Sequence, residues 1–297
     1  MNTAPDIICA GSVLWDMIGR SALAMQAGDD RPGRITRLPG GVALNIAMTL
    51  VKYGLRPALL SVVGQDSDGR ALISSCQAMG LNTDHVLRRA DLPTDRYMAI
   101  ESQGRLLAAI ADAHSLEAAG AAILAPLRGG ALAPLGAPFT GLIALDGNLP
   151  VETLALVASH EDFAKADLRL APASPGKATR LLPFLQAGRG TLYVNLEEAG
   201  LLCGTQFCGA QAAAQGLIRH GARRALVTDG GQPAADADEH GLRSARPPAI
   251  TAQRVTGAGD TFMAAHIAAE RAGTAPQAAL ETALRAAAHY VSGKETP

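Results

Sequence analysis

Short apolar runs punctuate the chain at 7–13, 58–63, 141–145, 167–171, 191–194 and 225–228, each of strand length and closed by glycine or polar residues. Between them the apolar spacing turns helical: 42–51 closing at Gly54, from the turn 64–69 to about Met79, then 151–159, 175–186, 210–220 and 276–291. Runs that are apolar throughout suit strands buried on both faces. Their alternation with helices predicts an α/β fold, a mainly parallel central sheet between two helical layers.

Two stretches break this rhythm. Residues 33–38 look like a short exposed strand, and 94–99 with 105–111 are β-prone segments joined by Ser102-Gln103-Gly104, which reads as a hairpin. Together they predict a small β-sheet protruding from the main body as a lid. The chain is therefore expected to be one α/β domain over 1–297, with lid strands from about 13–39 and 94–112 inserted in it.

Composition narrows the function classes. With 26 basic and 27 acidic residues and 3% aromatics, the 297-residue chain has neither a basic footprint nor stacking platforms, so no nucleic acid is expected as partner. The longest uncharged run, 199–218, carries Gln206, Gln211 and Gln215 and is too polar to span a membrane. The first apolar run begins without a basic leader, and Cys9, Cys76, Cys203 and Cys208 show no CxxC pairing. A cytoplasmic protein with free thiols is expected.

Candidate chemistry concentrates in Gln253-Arg254-Val255-Thr256-Gly257-Ala258-Gly259-Asp260-Thr261-Phe262. Thr256 is expected to cap a helix whose first turn is Gly257, Ala258 and Gly259. Small residues there let unsatisfied amides approach an anion, which the helix dipole also favours. Asp260 adds an acid beside that anion hole, the pairing that suits phosphoryl transfer to a hydroxyl: amides hold the charge while the carboxylate takes the proton. A dinucleotide fingerprint fits less well, because Phe262 stands where a third glycine belongs and only two helical segments follow.

Other polar residues fall at strand ends, where α/β sheets bind ligands: Asp16 after the first run, Asp146 and Asn148, Asn195 and Glu198, Thr228 and Gly230. Gly40 and Gly41 permit a tight backbone approach before a helix that carries Asn45, whose amide suits a sugar hydroxyl.

Taken together, these residues resemble the ribokinase-like (PfkB) family of sugar and nucleoside kinases over nearly the whole chain. Gly40-Gly41 with Asn45 matches its first motif, and Thr256-Gly257-Ala258-Gly259-Asp260 its second. The resemblance implies a three-layer α/β/α sandwich with Asp260 as catalytic base and Gly257, Ala258 and Gly259 as anion hole. It also implies that Asp16, Gly40, Gly41, Asn45 and Asn148 bind substrate. The motif Asn195-Leu196-Glu197-Glu198 implies ATP and magnesium around Asn195 and Glu198, with Thr228, Gly230 and Gly231 contacting nucleotide.

Two departures qualify the resemblance. Arg254 stands where many members carry an Asp tied to a monovalent cation, so potassium dependence is expected to be weakened or lost. Val42 replaces the Lys of ribokinases, which counts against ribose. The hairpin, from Thr94-Asp95-Arg96-Tyr97 to Ala109-Ile110-Ala111-Asp112, resembles that of the family's pseudouridine kinases, although Ala113 stands where a Met is expected. Thr94, Arg96 and Tyr97 are accordingly expected to read the base, and the substrate to be pseudouridine, phosphorylated on its 5′-hydroxyl. Another nucleoside, a free sugar such as ribose or fructose, and a non-catalytic sugar or nucleotide sensor are the alternatives. A homodimer through the lid is expected, since an exposed sheet is most simply covered by its own copy.

Overall fold

The computed structural model describes residues 4–103, 105–251, 254 and 256–293. Gly104 of the expected hairpin turn, and Gln253 and Val255 of the helix-entry stretch, lie outside the described residues. The main sheet has eight strands, in spatial order β14 (Gly241–Ala245), β13 (Ala234–Asp238), β12 (Arg224–Thr228), β11 (Thr191–Asn195), β10 (Asp167–Ala171), β9 (Leu142–Asp146), β1 (Ile7–Ala10) and β4 (Pro57–Leu60). Strands β12 to β4 run parallel, and β13 and β14 are antiparallel additions at one edge.

Helices cover both faces. Alternate strand residues such as Ile7 and Cys9 pack with α1 (Val42–Lys52), α2 (Ser67–Ala78), α9 (Ala258–Arg271) and α10 (Pro276–Val291). Ile8 and Ala10 point the other way. They pack with the layer formed by α3 (His114–Ala119), α4 (Ala125–Arg128), α5 (Val151–Ser159), α6 (Leu182–Gln186), α7 (Leu196–Cys203) and α8 (Ala210–Arg219). The expected α/β/α sandwich is thus present.

A second sheet has four strands in the order β3 (Arg34–Gly40), β2 (Leu14–Ser21), β7 (Arg96–Ser102) and β8 (Arg105–Asp112), and β5 (Val62–Gly64) pairs with β6 (Leu87–Arg89). Several expectations need correction. The first apolar run ends at Ala10, and after the turn at Gly11 the chain enters β2 of the other sheet. The expected strand at 58–63 divides at Ser61, whose hydroxyl donates to the Gly11 carbonyl at 2.5 Å. The expected helix at 175–186 is 3-10 over Pro175–Leu181 and α only from Leu182, because Pro183 has no N–H to continue an α ladder. Thr256 does not cap α9; Gly257 does, in the left-handed region at φ 87°, with no side-chain cap.

Candidate active site

The carboxyl ends of the parallel strands gather the chemistry. Asp260 sits in the first turn of α9, just after the glycine cap, and Asn45 in the first turn of α1. The Asn45 amide donates to the Asp260 carboxylate at 2.9 Å, a contact 215 residues apart in sequence that joins the two motifs. Burial pushes Asp260 up to about 7, and the nearby Asp146, Asp16 and Glu198 charges push the same way, while the Asn45 hydrogen bond opposes them. Among the described residues no cation pairs with Asp260.

Asp16 on β2 is half-buried, and burial raises it to about 6. Its carboxylate has no hydrogen-bond partner among the described residues, so both oxygens remain available. Gly40 makes room for it: a Cβ there would lie 2.1 Å from Asp16 Oδ2. Gly41, at φ 100°, turns the backbone into α1, and a Cβ there would meet the Ser12 carbonyl at 2.5 Å. Gly41 is thus required sterically whatever it does for a ligand, and Gly40 is required only while Asp16 keeps this side-chain conformation.

Asn148 is less free than expected. Its Nδ2 donates to Ser12 Oγ at 3.1 Å and its Oδ1 accepts from Lys177 Nζ at 2.5 Å. Asp146, fully buried at 0% exposure, accepts from the Ser12 amide and hydroxyl and, at 2.7 Å, from the Asn148 amide. Ser12 Oγ in turn accepts from the Val42 amide at 2.8 Å, so this cluster fastens the β1 turn to the start of α1. Sequence reasoning missed Ser12 and Lys177. Neither sits in a motif, and only the proximity of their loops in space brings them in.

The small-sheet residues expected to read the base divide. Tyr97 is in register with Asp16 and shares its face of the sheet, whereas Arg96 is in register with Trp15 on the opposite face. Arg96 is exposed and donates to Asp68 at 2.7 Å, away from Asp16. Thr94 precedes the strand and is buried, its hydroxyl donating to Asp66 at 2.7 Å and accepting from the Gly64 amide at 3.1 Å. Of the three expected base readers, the fold brings only Tyr97 to the Asp16 face. Adjacent strand residues cannot share a face, and Thr94 is spent on the α2 entry.

Beside this centre, a cleft of about 940 Å³ lies at the ends of β11 and β12, lined by Asn195, Glu197, Phe207, Thr228 and Gly230 among others. Gly230 adopts φ 54°, and neither it nor Gly231 would clash if given a Cβ, so the turn is open to an approaching ligand. Asn195 and Glu198 form a reciprocal cap of α7: Asn195 Oδ1 accepts from the Glu198 amide and Glu198 Oε2 from the Asn195 amide, both at 2.8 Å. That cap is itself sufficient reason for the N-x-x-E spacing. It leaves Glu198 Oε1 uncommitted, and burial raises the carboxyl above its ordinary range. Among the described residues no cluster of three or more His, Cys, Asp or Glu could cage a metal. One open oxygen on Glu198 fits an ion such as magnesium that arrives with phosphates and keeps its waters.

A glycine-capped helix start with a buried acid beside it, at the carboxyl edge of a parallel sheet and next to an open cleft, is an arrangement that suits a small-molecule kinase. The sequence model of the pfkB family carbohydrate kinases matches residues 4–296, and the chain belongs to that family. It is 30% identical to the pseudouridine kinase of Escherichia coli (strain K12) over 263 residues, covering 87% of this chain and 81% of the relative. Among solved structures it is similar to the ribokinase of Thermotoga maritima, at TM-score 0.79 and 21% identity over 97% of this chain and 93% of that one. It is also similar to the ribokinase of Arabidopsis thaliana complexed with ribose and ATP, at TM-score 0.77 and 21% identity over 99% and 95%. The fold is therefore ribokinase-like and the chain a carbohydrate or nucleoside kinase. No helix among the described residues is long and apolar enough to cross a membrane.

Proposed function

We propose that this kinase transfers the γ-phosphoryl group of ATP to the 5′-hydroxyl of pseudouridine. The observation that carries the catalytic part is the Asn45–Asp260 hydrogen bond at 2.9 Å beside the glycine-capped start of α9. Asp260, unpaired and raised to about 7, is a carboxylate basic enough to take a hydroxyl proton near neutral pH. The amides of Gly257, Ala258 and Gly259 hold charge on the transferring group. Asp16 accepts from ribose hydroxyls, with Gly40, Gly41 and Asn148 shaping the wall around it. Asn195, Thr228, Gly230 and Gly231 contact the nucleotide. Magnesium would neutralise phosphate charge, and Glu198 is the carboxylate that would hold it.

The 30% identity to the E. coli pseudouridine kinase supports the substrate, and Tyr97 supplies an aromatic surface for the base on the Asp16 face. Another nucleoside or a free sugar is the second reading, favoured by the diversion of Thr94 and Arg96 to structural contacts. An ADP-release assay over pseudouridine, uridine, adenosine, ribose and fructose separates the two. The highest kcat/KM is expected for pseudouridine, and a higher value for any of the others overturns the substrate. In the same assay potassium should give little stimulation over a large organic cation. Arg254 stacks on Tyr290 with its guanidinium 3.8 Å from the ring centroid and donates to the Tyr290 carbonyl at 2.8 Å, placing a fixed charge beside the anion-hole entry.

The small sheet is proposed as a lid that also forms a dimer contact. Its Asp16 face turns toward the site, and its other face exposes Ile35 (78%), Met98 (53%), Ile100 (39%) and Ile110 (69%). A patch of this kind on an open sheet is covered most simply by a second copy. Sedimentation at micromolar concentration should give a dimer, and Ile110→Lys should dissociate it. A wild-type monomer would exclude this interface.

A further inference from the structure

A second cleft lies at the opposite edge of the main sheet, where β10, β11 and β12 begin. Its volume is about 680 Å³, within the range of small-molecule sites, and its walls include Lys165, Arg189, Thr191 and Arg223. Two of the acids that border it are answered locally, Asp167 by Arg169 at 2.8 Å and Asp238 by Arg243 at 3.0 Å, whereas Glu239 is exposed with only His240 at 3.7 Å. Three cations on the walls are not answered by an acid. Lys165 and Arg223 have no partner among the described residues. Among the described residues Arg189 donates only to the carbonyls of Val157, Ala158 and Phe163, so its charge faces no carboxylate there. Arg189 and Arg223 also lie close enough for the Arg223 charge to add to burial in lowering the Arg189 pKa.

A second, independent feature is Thr191. It opens β11 in register between Arg169 and Arg224, is only 8% exposed, and lines the cleft. Its hydroxyl has no hydrogen-bond partner among the described residues, yet no buried side-chain oxygen or nitrogen there is both sealed and unsatisfied. The hydroxyl is therefore reachable from the cleft. A largely buried hydroxyl left open in a cleft whose walls also carry unanswered cations is a donor arrangement awaiting an acceptor-rich ligand.

We propose that this cleft binds a phosphate dianion, carried by a small ester or free in solution. Lys165, Arg189 and Arg223 supply the charge and Thr191 the buried donor. The cleft opens at the amino ends of the strands, away from the catalytic centre at their carboxyl ends, so its ligand does not compete with nucleotide or acceptor.

Calorimetric titration tests it, on protein whose nucleotide site is saturated with a non-hydrolysable ATP analogue. Inorganic phosphate is titrated in one arm and glycerol 3-phosphate, which carries no nucleoside for the acceptor site, in the other. Saturable binding is expected, weakened roughly tenfold or more by Arg223→Ala and by the isosteric Thr191→Val, the scale of one lost charge-assisted hydrogen bond. Arg223→Ala should leave kinase kcat and KM unchanged at low phosphate. Tighter binding of the ester assigns the cleft to a metabolite, and equal binding assigns it to free phosphate. No saturable binding in either arm, or binding that neither substitution weakens, overturns the proposal.

Discussion

Helix α9 carries two acids with opposite fates. Asp260 in its first turn is raised to about 7, whereas Glu270 in its last is lowered to about 2. Burial pushes both upward. At Glu270 the charges of Arg169 and Arg224 more than offset it: Glu270 accepts from Arg169 and, at 2.5 Å, from Arg224. At Asp260 only a neutral amide helps, and three further carboxylates make matters worse. The Glu270 end is an anchor. Arg224 also holds the fully buried Asp236, and Arg169 donates to Tyr193, whose hydroxyl meets the neutral His266 at 2.9 Å. A paired acid fixes the helix on the sheet, and the unpaired one at the other end of the same helix is the acid proposed above to take a proton.

The largest effect should come from removing the unpaired acid. Asp260→Asn keeps the shape of the site and the anion hole but removes the base, so kcat should fall roughly 10²–10⁴-fold with nucleotide binding retained. The sign of its stability effect is a further check. Because the folded pKa is raised from 3.8 to about 7, the native state holds a proton the unfolded chain has lost between those values, and stability drains as pH rises through that window. The variant should therefore gain most in urea midpoint over wild type above pH 7 and least near pH 4. Near-normal turnover would end the base assignment.

At the paired end the expectation inverts. Glu270→Ala leaves two largely buried guanidiniums facing one another, and breaking a buried ion pair from one side costs about 3–5 kcal/mol. Urea unfolding at pH 7 should show that loss, with kcat nearly unchanged in the protein that remains folded. Here the folded pKa is depressed, so wild-type stability from this acid is present above about 4.5 and is lost as pH falls toward 2. The gap between wild type and variant should close accordingly in acid. A drop in kcat as large as that of Asp260→Asn would mean that the two ends are not separable.

The catalytic end was far more legible in the sequence than the anchoring end. Gly40-Gly41, Asn45 and Gly257 to Asp260 need particular residue types at fixed spacing, and the alternation of apolar runs with helical spacing gave away the parallel sheet. The anchor is hidden because its members are scattered single residues. In β13, Ala234–Asp238 reads as polar and was not expected as a strand, yet Asp236 is buried there by Arg224 and Arg243 across the ladder. An ion pair formed only in the fold defeats a hydrophobicity pattern. The strand breaks at Gly11 and Ser61 were hidden for a related reason: an apolar run shows burial but not which sheet the chain enters. Period two did contain the answer for Arg96 and Tyr97, whose neighbouring positions cannot both face the site.

The smallest effect sharpens the comparison most, because it concerns the one bond that relieves Asp260. The Asn45 amide stabilises the ionised carboxylate and so lowers its pKa against burial. Asn45→Ala removes that donor and should raise the pKa further, moving the acid limb of the kcat/KM profile to higher pH. Activity would then fall several-fold at pH 7 but recover toward wild type near pH 9, where the base is ionised in both proteins. A residue that only bound a sugar hydroxyl would instead raise KM equally at both pH values. Asn45→Asp separates the cases again, since a second carboxylate at this distance raises the pKa more than losing the amide does. A profile that keeps its acid limb in place in both variants would show that Asn45 serves the acceptor and not the base.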